Sequence, residues 1–132
     1  MSIRPFILAA SLCVAATAAQ AQEEVRVQFE RGNDNAAIEG VVTGRDYVDY
    51  LLGAGAGQTL SVSLIPEEGP TPFFNVLPPG SDGVAVYNGS MDGGDATVEL
   101  SEDGDWIVRV YLMGNAYDAG ETAEYMLSFT IQ

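Results

Sequence analysis

Nineteen carboxylates and five arginines are the side chains charged at neutral pH in this 132-residue chain, which contains no histidine and no lysine. Any chemistry would have to start from the acids. Two carboxylates facing each other across a cleft can hydrolyse glycosides, one as a proton donor with a raised pKa and the other as base or nucleophile. Here the acids gather in turns instead, as in Asp92-Gly93-Gly94-Asp95 and Asp103-Gly104. Without imidazole or amine, the usual general base at neutral pH, the Schiff-base nitrogen and the preferred zinc ligands are missing. The composition therefore points away from an enzyme and requires no cofactor. Oxygen ligands for calcium are plentiful around Asn33-Asp34-Asn35 and around Asp92 and Asp95. Neither stretch follows the twelve-residue EF-hand loop or a glycine-rich nonapeptide repeat. Such Asx-Gly clusters ordinarily make hairpin turns, so no metal site is assigned. Asn88-Gly89-Ser90 matches a glycosylation acceptor, a pattern common by chance.

The amino end reads "MSIRPFILAASLCVAATAAQAQEEV". Arg4, an apolar stretch from Phe6 to Ala19 that is too short to cross a bilayer, and the small-x-small site Ala19-Gln20-Ala21 predict a signal peptide over residues 1–21, removed on export. The single cysteine, Cys13, lies within that stretch behind Leu12, where a lipid-anchored protein would carry a small residue. Cleavage leaves a cysteine-free domain of residues 22–132. That length suits one domain held by its core alone. The expected location is the periplasm or the exterior, with no membrane insertion once the leader is gone.

The formal net charge is −14, and loss of Arg4 with the leader leaves four arginines against nineteen acids, a net −15. A surface of that sign repels the phosphates of nucleic acid, and it steers basic proteins or cations toward the molecule. The hydrophobic fraction of 47% is ample for a core, which excludes disorder as the explanation of the charge.

Beyond the leader, apolar residues recur at a period of two. Val25, Val27 and Phe29 alternate with Arg26, Gln28 and Glu30; Leu60, Val62 and Leu64 alternate with Thr59, Ser61 and Ser63; Tyr125, Leu127, Phe129 and Ile131 form a third series. "IEGVV", "DYVDYLL", "PFFNVL", "VAVY", "ATVEL" and "DWIVRVYLM" are further strands, bounded by glycine- and proline-rich turns. No helical period stands out. About eight short strands predict an all-β fold, an antiparallel β-sandwich.

Within that pattern Trp106, Val108 and Val110 share one strand face, and Arg109 falls on the other with Ile107 and Tyr111. Arg109 is expected to be a structural arginine paired with a nearby acid. Trp106, Tyr47 and Phe73 are expected in the core. Tyr117, between Ala116 and Asp118 in the stretch "MGNAYDAGE", falls outside the strand pattern and is expected to be exposed, as interface aromatics are. Arg45, in the turn after Gly44, is expected to face the same end of the sandwich.

Two blocks carry a resemblance: "GVVTGRDYVDYLLGAGAGQTLSVSL" from Gly40 to Leu64 and "LSEDGDWIVRVYLMGNAYDAGETAEYMLSFTIQ" from Leu100 to Gln132. Their arrangement resembles the bacterial pre-peptidase C-terminal type of β-sandwich. It resembles more closely the periplasmic inhibitors of goose-type lysozyme, through Arg109, Val110, Asn115, Thr122 and Tyr125. The resemblance implies a non-enzymatic protein that binds and blocks a basic protein such as a lysozyme, with its contacts near Arg45, Gly114, Asn115, Tyr117 and Asp118. It also implies a tyrosine at position 45 and arginines at 114 and 118, where this chain has Arg45, Gly114 and Asp118. Residues 65–95 lie outside the resemblance. A calcium- or glycan-binding module of the pre-peptidase C-terminal type is the alternative.

Overall fold

A computed structural model describes residues 22–29 and 34–132; the expected leader lies outside them. Among the described residues nine strands and two short helices follow one another: β1 Gln22–Arg26, β2 Asn35–Thr43, β3 Tyr47–Ala54, β4 Thr59–Pro66, β5 Phe73–Leu77, β6 Tyr87–Asn88, α1 Gly89–Asp92, β7 Asp95–Glu99, β8 Gly104–Tyr111, α2 Gly114–Asp118 and β9 Thr122–Ile131. They form a five-stranded sheet in the order β1-β3-β8-β5-β6 and a four-stranded sheet in the order β2-β9-β4-β7. Every pairing is antiparallel except β1 with β3, which runs parallel. Successive strands mostly alternate between the sheets. Each therefore turns one face inward, and the period of two in the sequence follows from that.

The inward side chains form one core. Trp106, Tyr50, Phe74 and Leu52 come from the five-stranded sheet; Tyr125, Phe129, Leu127 and Leu60 come from the other. Trp106 is buried, as expected, and its indole N–H donates to the carbonyl of Glu102 at 3.0 Å. The two sheets also meet through a polar contact, the hydroxyls of Tyr50 and Tyr125 lying 2.7 Å apart in the interior. Gly40 makes room for them, since a Cβ at that position would stand 2.5 Å from both hydroxyl oxygens. Burial pushes both phenols above their ordinary pKa.

Three sequence expectations need correction. "VAVY" contributes only Tyr87 to a strand, and Val84 and Val86 are exposed. That strand pairs with β5 only through Asn75 and Val76, so it does not extend back to residue 84. Tyr47 and Phe73 are not core residues. Both lie half-buried on the outward face of the five-stranded sheet, because their neighbours Val48 and Phe74 take the inward positions. The stretch "MGNAYDAGE" lies outside the strands, as expected, and closes a helical turn, α2. Among the described residues no helix is long and apolar enough to cross a membrane.

Candidate functional site

One end of the sandwich is built from the β2–β3 turn, the β4–β5 turn and the segment between β8 and β9. Gly114, at φ +60°, starts α2 in the left-handed region that glycine enters without steric cost. The turn then closes with Ala119 N–H donating to the Asn115 carbonyl at 2.8 Å and Glu121 N–H to the Ala116 carbonyl at 3.1 Å. This folds Ala116 and Tyr117 back against the core. Past the helix, Gly120 approaches Gly44 so closely that a Cβ on Gly44 would lie 2.9 Å from its Cα. Gly44 N–H donates to the Glu121 carbonyl at 2.8 Å, and the hydroxyls of Thr43 and Thr122 are 2.9 Å apart.

These clips set Arg45 beside α2. Its guanidinium stands 5.1 Å from the centre of the Tyr117 ring, within cation–π range, and its Nη2 lies 3.7 Å from Oδ1 of Asp118. Both partners of that ion pair are well exposed, with side chains 63% and 69% accessible. A pair so long and so wet contributes less than about 1 kcal/mol and is readily exchanged for another partner. Of the five predicted site residues, Arg45, Tyr117 and Asp118 are thus brought together. Gly114 and Asn115 are exposed on the same turn. Tyr117 departs from expectation: it is half-buried, wedged between the core and the arginine.

The β4–β5 turn, silent in the sequence, joins this end. Glu67 N–H donates to the Glu124 carbonyl and Glu124 N–H to the Glu68 carbonyl, both at 2.8 Å. Exposed Glu67, Glu68, Glu121 and Glu124 therefore stand near one another around the start of β9. The adjacent glutamates of Pro66-Glu67-Glu68-Gly69-Pro70 mark a turn in the sequence. Their place beside β9 required the fold.

Arg109 plays the structural part expected of it. Its Nε and Nη2 donate to the two carboxylate oxygens of Asp49 at 2.8 and 3.0 Å, and its guanidinium stands 4.4 Å from the centre of the Tyr47 ring. The hydrogen bond to Asp49 raises the arginine's pKa further. Asp49 is buried to 1% accessibility on an outward-facing position, a placement a carboxylate tolerates only when it is paired in this bidentate way. Among the described residues no three metal-ligating side chains gather at one point. Asp95 accepts a hydrogen bond from Ser63, and Asp34 accepts one from Asn35 at 3.2 Å.

No family model matches the chain, and no curated protein does. Solved structures do. Aeromonas hydrophila PliG, a periplasmic lysozyme inhibitor of g-type lysozyme, is 32% identical over 86% of this chain and the whole of its own, with a TM-score of 0.79. The chain belongs to the family of periplasmic inhibitors of g-type lysozyme. A PliG mutant from Escherichia coli, 27% identical, matches 85% of this chain and the whole of its own at a TM-score of 0.66. The pre-peptidase C-terminal domain of a Bacillus anthracis collagenase, 15% identical at a TM-score of 0.57, shares the fold.

Proposed function

We propose that this protein is an exported, non-enzymatic lysozyme inhibitor of the periplasm, and that it engages its target through the sandwich end carrying Arg45, Asn115, Tyr117 and Asp118. The observation that carries this is the 32% identity with Aeromonas hydrophila PliG along that protein's entire length. The electrostatics support it. Among the described residues, Arg26, Arg45 and Arg109 are each paired with an aspartate, which leaves the remaining acids to set the field. An acidic molecule of this kind attracts a basic partner, and a surface that presents Glu67, Glu68, Glu121 and Glu124 beside the loop would complement it. Arg45 is the cation at that end with a loosely held partner, free to trade Asp118 for a carboxylate of the target.

The test is the lytic activity of a goose-type lysozyme titrated with the purified protein. Stoichiometric loss of activity is expected, and association should slow steeply as salt is raised through physiological strength, where screening acts over about 8 Å. Full activity at a large molar excess of the protein would refute the proposal.

A further inference from the structure

The loop end offers few side chains, whereas a stable protein–protein contact buries about 800 Å² on each partner. The contact must spread beyond α2 and the Arg45 turn. One neighbouring surface has the chemistry to receive it. On the outward face of the five-stranded sheet, Tyr47, Tyr111 and Phe73 stand in register on β3, β8 and β5, so that three rings span two inter-strand spacings, about 10 Å. Tyr47 follows Arg45 by two residues, and Tyr111 precedes Gly114 by three. The row is therefore continuous with the loop end.

The rings are also held in place before any partner arrives. Tyr47 lies against the Arg109 guanidinium, which Asp49 grips with two hydrogen bonds. The Tyr111 hydroxyl donates to Oδ1 of Asn75 at 2.7 Å, and its ring centre is 6.2 Å from that of Phe73. Ordered aromatics bind without the entropy cost of freezing rotamers, and they are enriched among the residues that dominate interface energies. The positive charge of Arg109 is neutralised, so the row presents no cation to repel a basic protein. The outward face of the other sheet differs: it mixes the small hydroxyl-bearing Ser61, Ser63, Thr97, Ser128 and Thr130 with Asp95 and Glu99, and its exposed apolar residues, Val41 and Ile65, are aliphatic.

We infer that the lysozyme bound at the loop end also rests on this aromatic row, with Phe73 and Tyr111 as anchors; the inference depends on the function proposed above. Affinity for goose-type lysozyme is measured for the native protein and for Phe73→Ala, Tyr111→Ala, Tyr117→Ala and Ser128→Ala, each checked by circular dichroism. Phe73→Ala and Tyr111→Ala should each raise Kd tenfold or more through faster dissociation, with Ser128→Ala unchanged. A second readout requires no substitution: the ring signals of Tyr111 and Phe73 in the native protein should shift on adding the lysozyme. If Tyr117→Ala weakens binding while both row variants bind as the native protein does and the ring signals stay put, the row is outside the contact and only the inference fails. A native protein that does not bind lysozyme overturns the proposed function and the inference with it. A native dimer that Phe73→Ala dissociates would assign the row to a second copy of this chain and overturn it.

Discussion

Replacing Gly40 by alanine tests the contact that joins the two sheets. Gly40 lies opposite Tyr125 in the β2–β9 register, and its backbone is not in the left-handed region, so alanine costs nothing locally. The added Cβ would fall 2.5 Å from Cζ and the hydroxyl of Tyr125 and from the hydroxyl of Tyr50. Neither ring can step aside, since Tyr50 is 2% accessible and Tyr125 is fully buried. Forcing the rings apart leaves buried hydroxyls unpaired, at about 1–3 kcal/mol, and overpacks the core by a similar amount. The smaller unfolded-state entropy of alanine offsets about 0.4–1 kcal/mol. The net expectation is a loss of about 1–5 kcal/mol. At roughly 4 °C per kcal/mol for a domain of this size, that is a fall in Tm of about 4–20 °C, read by calorimetry of the protein without residues 1–21. Gly57→Ala is the comparison, because Gly57 has open space around it and only its φ of +88° to strain. A loss below about 1 kcal/mol for Gly40→Ala, or one no larger than for Gly57→Ala, would refute the tight seating of the two phenols.

Trp106→Ala should cost about 3–5 kcal/mol in denaturant unfolding, as expected for a large buried aromatic, whereas Asp118→Ala should cost less than about 1 kcal/mol because its ion pair is long and exposed. At alkaline pH the folded protein holds Tyr50 and Tyr125 protonated while the unfolded chain ionises them near pH 10; stability should be complete below that pH and fall as it is exceeded. Tyrosinate absorbance should then show these two phenols titrating only as the dichroism of the fold is lost, and their ionisation in a folded protein would contradict the burial. Gly114→Arg should lower stability by about 1–2 kcal/mol despite the open space at that site, because of the left-handed φ, while Gly114→Asn should lower it less. Equal losses measured by thermal denaturation would show that backbone handedness is not what position 114 requires.

The class of fold was legible in the chain because a half-buried strand writes its two faces as alternation, and "TLSVSL" and "YMLSFTI" do so almost without interruption. The pairing of Arg109 with an acid was legible too, since an arginine on a strand otherwise rich in apolar residues must find a carboxylate. Which carboxylate was not: Asp49 is sixty residues away, and only the β3–β8 register places it opposite. Local pattern also says that a residue alternates but not which of two faces looks inward when both carry aromatics, and so Tyr47 and Phe73 read like core residues. The candidate site divides in the same way. Tyr117 stood out by composition, but its wedged position depends on Gly44 meeting Gly120 across a separation of seventy-six residues, and Glu67 and Glu68 reach the site only through backbone hydrogen bonds to β9. Periodicity and turn chemistry are properties of neighbours in sequence, so the chain alone located most of its strands and turns, though not the limit of the strand at "VAVY" or the helical turn α2. Contacts between distant segments depend on how the sheets stack and register, so the grouping of Arg45, Tyr117 and Asp118 was decided by the tertiary structure.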